Sequence, residues 1–223
     1  MNRFINNLIL RIMGLIRGID NDMIGTLGNH VGRKVRGKNI LSMKPGKRTK
    51  PATANQLAHQ EKVGILFVMF GFLADFVGIG FSGFKTKMTA VNAAVSYNYK
   101  FITGVAGDYE LDYPMLTFGR GKVAAPEQAV VAPVVGRKLT FTWLAGLATV
   151  KNNLPTDLSY FLVYSKVLDK FFTVEGAVPR SALTYTLQLP FIFAGEEVHV
   201  YMMFASVLGK PGNSVYLGAV EVV

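Results

Sequence analysis

Apolar and polar positions alternate with a helical period along the first eighteen residues. In NRFINNLILRIMGLIRG, at about 100° per residue, Arg3, Asn6, Asn7, Arg11, Gly14, Arg17 and Gly18 fall in one arc. Phe4, Ile5, Leu8, Ile9, Ile12, Met13, Leu15 and Ile16 fill the rest, with Leu10 alone on the polar side. The pattern predicts an amphipathic helix with a wide apolar arc. Phe4, Ile5, Leu8, Ile12, Leu15 and Ile16 would dock it on the protein's own body or on a neighbouring copy. Contact with a membrane interface is the lesser reading. The segment makes a poor signal peptide, because arginines interrupt the apolar run and no small-residue cleavage site follows.

The period then shortens. Gly25, Gly28, Gly32 and Gly37 punctuate a β-like stretch, and Arg36-Gly37-Lys38-Asn39 has turn chemistry between Val31 and Val35 on one side and Ile40, Leu41 and Met43 on the other. This predicts a β-hairpin. KPGKRTKPAT, with its prolines, glycine and cations, reads as an extended linker. Thr53-x-x-Gln56 is a capping box that opens a helix running through QLAHQEKVGILFVMFGFLADFVGIGF. From Val63 to Phe81 the only charge is Asp75, so the run is long enough to span a membrane. Gly64, Gly71, Gly78 and Gly80 weaken a free helix, and a buried helix of a soluble core is the preferred reading. A further helix is expected from Thr89 to Gly104.

From Tyr109 onward the chain consists of short runs rich in Val, Thr, Tyr and Phe: YELDYPMLTFG, QAVVAPVV, KLTFTWLA, LSYFLVYS, KFFTVEG, ALTYTLQLP, EVHVYMMFAS and NSVYLGAVEVV. Turn clusters separate them. Seven or eight such strands predict an antiparallel β-sandwich of immunoglobulin or fibronectin type, with Trp143 in its core. The fold class is therefore α+β: an N-terminal amphipathic helix, a basic β-hairpin and two helices, then the sandwich. Three segments are expected: a basic arm over 1–52, a helical segment over 53–107, and the sandwich over 108–223.

Charge sharpens this division. The 223-residue chain has a net charge of +10 and no cysteine. Residues 1–62 hold twelve Lys/Arg and three acids, whereas 63–223 hold twelve and eleven, so nearly all the excess lies in the first quarter. Arg33, Lys34, Arg36, Lys38, Lys44, Lys47, Arg48 and Lys50 form an acid-free stretch. The lack of cysteine removes disulfides, thiolate zinc sites and cysteine nucleophiles.

Little else carries chemistry. His30, His59 and His199 lie in different regions, none at ligand spacing with another histidine or a carboxylate. Asp108, Glu110 and Asp112 alternate and could collect calcium, but a solvated strand face is the simpler reading. GRGK at 119–122 lacks the spacing and the Ser/Thr of a phosphate loop. Between Asp20 and Leu66 no aromatic residue is interleaved with the cations, as a base-stacking surface would need.

GTLGNHVGRKVRGKNILSMKP, KPATANQLAHQ, MTAVNAAVSYNYK, YELDYPMLTFGRG and VHVYMMFAS…GNSVYLGAVEV occur in that order. Together they resemble a family of bacterial proteins known only as a domain of unknown function. The resemblance covers roughly residues 24–223. It rests on a Gly-rich hairpin, a Pro-x-Thr-x-x-Gln helix start, an Asn-Ala-x-x-x-Tyr helix, an Asp-Tyr strand and a final Ser-x-Tyr-x-Gly strand. Glu61-Lys62 and Val35 depart from the pattern, where relatives tend to carry an arginine and an aromatic residue. The resemblance implies a common fold and supplies no activity.

The expected function is that of a non-enzymatic structural or assembly protein, self-associating through its arm into a filament, fibre or particle. The expected partners are copies of itself. An adaptor binding nucleic acid or an anionic membrane through the arm is the alternative. A carbohydrate or peptide binder using the sandwich loops is another, with Tyr160, Tyr164 and Tyr185 as candidates. No catalytic residue, cofactor, metal or small-molecule substrate is inferred. The compartment stays open, an extracellular or cell-surface assembly included.

Overall fold

The structure is a computed structural model that describes residues 14–17, 22–35, 37–47, 49–84, 88–146 and 151–223. The chain divides into two units, with the boundary between Ala52 and Thr53.

In the first unit, four strands form one antiparallel meander, β1 (Gly14–Arg17), β2 (Asp22–Leu27), β3 (His30–Val35) and β4 (Lys38–Met43), in that order. The expected hairpin is present as β3–β4, with Val35 opposite Lys38 and Gly37 at φ +76° in the turn. It is one part of a larger sheet. Gly28, at φ +58°, closes the β2–β3 turn, where a Cβ would be strained. Where the predicted helix is expected to end there is a strand: Leu15 and Ile16 lie in β1, opposite Ile24 and Met23. Ladder pairing with β2 overrides helical periodicity there, and Gly14 opens the strand. Phe4, Ile5, Leu8 and Ile12 lie outside the described residues.

The second unit begins as predicted at Thr53. The Gln56 N–H donates to Thr53 Oγ1, and the Thr53 N–H donates to the Gln56 side chain, at 3.3 and 3.2 Å. The helix it opens, α1 (Ala54–Phe72), is shorter than expected. The chain turns by 92° into α2 (Ala74–Gly80). At the bend the Leu73 N–H reaches only as far back as Gly71 O, and the turn buries Leu73, Phe76 and Val77. Among the described residues no single helix is long and apolar enough to cross a membrane, although the bent pair passes that test together. Thr89 caps α3 (Ala90–Asn98), which ends six residues before the expected stop. A 3₁₀ turn follows, then a hairpin of β5 (Ile102–Val105) and β6 (Asp108–Leu111), so Gly104 serves that hairpin and not a helix terminus.

The remaining seven strands form the sandwich. β7 (Glu127–Val134), β8 (Lys138–Leu144) and β11 (Thr184–Gln188) make a three-stranded sheet, ordered β11-β8-β7. β9 (Leu158–Ser165), β10 (Lys170–Val174), β12 (Glu197–Ala205) and β13 (Val215–Glu221) make a four-stranded sheet, ordered β10-β9-β12-β13. Both are antiparallel. Three-plus-four in this order is the fibronectin type III arrangement of a sandwich. The first of the eight predicted runs does not join it, because β6 pairs with β5 instead.

The four-stranded sheet is covered on both faces. Phe161, Val163, Val200, Met202 and Phe204 pack against Leu139, Phe141, Trp143 and Leu187 of the opposing sheet and Leu189 just after it. Their neighbours Tyr160, Leu162, Tyr164, Tyr201 and Met203 pack against Leu66, Phe70, Phe76 and Val77 of α1 and α2 and against Ala94 of α3. Strands that alternate between two apolar surfaces are apolar at nearly every position, as β9 and β12 are. The helical segment and the sandwich, separated at residue 108 in the sequence reading, therefore share one interior. Each fully buried large side chain contributes about 1.5–3 kcal/mol.

Candidate interaction arm

Alternation within the arm's sheet sorts the cations by face. In register, Arg33 stands opposite Ile40, Lys34 opposite Asn39 and Val35 opposite Lys38. Arg33 and Lys38 thus share a face with Val31, Val35, Ile40 and Ser42, while Lys34 shares the other with His30, Leu41 and Met43. Lys44 extends the ladder by one bond, donating its N–H to Asn29 O at 2.7 Å. Lys44, Lys47 and Lys50 lie exposed beyond β4, outside regular secondary structure. Arg36 and Arg48 lie outside the described residues. Among the described residues, the cations on the β3–β4 hairpin therefore do not share a single face.

Apolar side chains are exposed between them. Ile24, Leu27, Val35, Ile40, Leu41 and Met43 are all exposed, Met43 to 68%. Gly32 is the only buried position among the arm residues whose burial is described. Gly14, Gly25 and Gly32 occupy one row across three strands and leave that row without side chains.

The other sequence candidates are structural. His59 Nδ1 lies 2.8 Å from Tyr99 Oη, and His199 Nδ1 lies 2.9 Å from Tyr216 Oη. His199 also stacks on Tyr113, with ring centroids 4.2 Å apart. Burial lowers its pKa, an effect opposed by Glu197 and reinforced by Lys166. Glu110 of β6 pairs with Lys166 at 3.4 Å. Among the described residues no group of three metal-ligating side chains is placed to hold an ion. The tyrosines proposed for ligand binding are not on loops: Tyr160 and Tyr164 are buried in β9, and Tyr185 in β11 stacks on Phe161 at 5.0 Å. Tyr160 and Tyr164 turn inward because their sheet is covered on both sides, and Tyr185 because it lies on the inner face of the other sheet. Burial raises the Tyr164 pKa, with further contributions from Tyr113 and Asp169.

The segments that carry the family resemblance hold the fold together. Ser214 Oγ accepts from the Phe118 and Gly119 N–H groups at 2.9 and 3.3 Å, Tyr216 meets His199, and Thr53–Gln56 caps α1. The family of unknown function DUF6266 matches residues 22–218. The chain belongs to DUF6266. No curated protein matches this DUF6266 chain in sequence. Solved structures similar to part of it include the fn3 domain of human collagen alpha-1(XX) chain, at 17% identity and a TM-score of 0.32 over 47% of this chain and 90% of that one. The chicken CNTN1 FN1-FN3 domains are similar at 8% identity and a TM-score of 0.31, over 46% of this chain and 33% of theirs. The strand order itself makes the body of the DUF6266 chain fibronectin-like.

Proposed function

We propose that this protein is a non-enzymatic structural or assembly subunit that self-associates through its N-terminal arm. The observation that carries the reading is the arm's four-stranded sheet, which exposes apolar side chains on both faces and buries only Gly32 among its described positions. A small sheet is stabilised in water when an apolar face is covered. Exposed apolar patches of this kind mark contact surfaces. The distribution of cations favours protein contact over a flat polyanion, because Arg33 and Lys38 point to one side and Lys34 to the other. Cations on a sheet also limit indiscriminate edge pairing.

The test is solution mass, measured by light scattering, for the full chain and for residues 53–223, which carry both hydrophobic cores. The full chain is expected to form oligomers that the shorter chain does not form. Equal masses for the two would overturn the reading. If instead the full chain stays monomeric and is retained on heparin or anionic vesicles in a salt-dependent way, the arm is a polyanion-binding adaptor.

A further inference from the structure

The chain passes itself closely between Phe118 and Lys122. A Cβ on Gly80 would collide with Phe118 O, one on Gly119 with the Met203 sulfur, and one on Gly121 with Pro211 O. The backbone is pinned along this passage. The Arg120 N–H donates to Gly80 O at 2.8 Å, and the Gly121 N–H donates to Asn213 Oδ1 at 3.2 Å. The glycines of GRG thus allow an approach that fixes the backbone of Arg120.

Its side chain lies against α3. The guanidinium carbon sits 4.0 Å from the centre of the Tyr97 ring and 5.5 Å from that of Phe84. Lys100 Nζ stands 4.8 Å from the same Tyr97 ring and 4.7 Å from Phe101. Phe84, Tyr97, Lys100 and Arg120 line an open cavity of about 280 Å³, which Met88, Ala93 and Ser96 complete. No carboxylate is among its lining residues. Among the described residues, neither cation donates a hydrogen bond from its side chain or forms an ion pair. Ring faces attract cations without using their N–H donors. Two like charges therefore share one ring, with their donors unspent and no counter-charge among the described residues of the cavity wall. The planar guanidinium fork matches carboxylate and phosphate oxygens. Phe84, Met88 and Ala93 give the same cavity an apolar wall, and its volume, just under the usual range of ligand pockets, restricts it to small ligands.

We propose that this cavity binds a small organic anion. Its carboxylate or phosphate group is held by Arg120 and Lys100, and its apolar part rests on Phe84 and Met88.

Calorimetric titration of the full chain at low salt, with phenyl phosphate, benzoate and inorganic phosphate, tests the assignment. Saturable one-site binding of phenyl phosphate or benzoate is expected, and whichever binds more tightly identifies the anionic group. Arg120→Gln should weaken it at least about tenfold, the loss of a charge-assisted bond. Lys100→Gln should weaken it severalfold, and serves as the second variant if Arg120→Gln does not fold. Inorganic phosphate, lacking an apolar part, should bind more weakly than phenyl phosphate. The proposal is overturned if neither organic anion saturates by about 10 mM. Unchanged affinity in a folded Arg120→Gln or Lys100→Gln variant overturns it too, as does inorganic phosphate binding as tightly as phenyl phosphate.

Discussion

The guanidinium of Arg180 lies over the ring of Phe204, 3.8 Å from its centre, at a position 1% exposed to solvent. Asp157, equally enclosed, stands 3.5 Å from it, and Ala124 O accepts from the guanidinium at 2.7 Å. Trp143 Nε1 donates to Arg180 O at 2.8 Å and ties the same residue to the opposing sheet. Burial lowers the Arg180 pKa, and Asp157 restores part of it.

Removing one member of this pair strands a charge in the interior. Asp157→Asn is expected to cost about 3–5 kcal/mol in urea unfolding. Glu110→Gln, which breaks the exposed pair with Lys166, should cost less than about 1 kcal/mol. Similar losses from the two variants would refute the distinction.

Asn98, fully buried, spends its whole side chain on holding the chain after β6 against α3. Its Nδ2 donates to Ala94 O and Thr117 O, each at 2.9 Å, and its Oδ1 accepts from the Thr117 N–H at 2.8 Å. Asn98→Ala orphans both backbone groups of Thr117 and should lower stability by about 2–4 kcal/mol, read from denaturant midpoints. A shift under about 0.5 kcal/mol would mean that the segment re-satisfies itself elsewhere.

Glycines in the helical segment should respond in opposite directions. A Cβ on Gly64 or Gly71 meets nothing within 4 Å, so alanine at either should raise the stability of residues 53–223 by up to about 1 kcal/mol through helix propensity. Gly80→Ala would drive a methyl group into Phe118 O and should destabilise by about 1–3 kcal/mol. Thermal melts of the three variants decide the matter.

His199 should make the fold acid-sensitive. Burial is the main cause of its lowered pKa, Glu197 opposes it and Lys166 adds to it, so the folded imidazole resists protonation more than the unfolded one. Its stabilising contribution is full above the unfolded value of about 6.5 and is lost as pH falls below it. Glu175, raised by burial and by Asp75, acts in the opposite sense, its contribution growing as pH falls. The difference between wild type and His199→Gln isolates the histidine. Wild type should lose more stability than the variant between pH 7 and 5, and parallel curves would contradict this.

Much of the sandwich was legible from local pattern. β8, KLTFTWL, alternates cleanly because one of its faces meets water. β9 and β12 carry the signal that was missed. SYFLVYS and VHVYMMFA are apolar without alternation, the mark of a strand covered on both sides, and it pointed to helices lying on the sheet. The Thr53 and Thr89 caps were readable because side chain and partner lie three residues apart. The bend at Leu73 was not, because what favours it is burial of Leu73, Phe76 and Val77 against distant strands. The cavity at Arg120 was illegible for the same reason: Phe84, Tyr97 and Arg120 come together only in the folded chain, and GRG reads as a failed phosphate loop until Gly80 and Pro211 are beside it.

The doubly covered sheet sets a limit on how this protein can be taken apart. A fragment started at residue 108 would keep all seven sandwich strands, and Tyr113 and Phe118 would still lie against Tyr164 and Tyr201, yet the part of this face that α1, α2 and α3 cover would meet water. Such a piece should aggregate more readily than residues 53–223. The fibronectin-like module is therefore no interchangeable bead: whatever uses it as a building block inherits its helical roof as well.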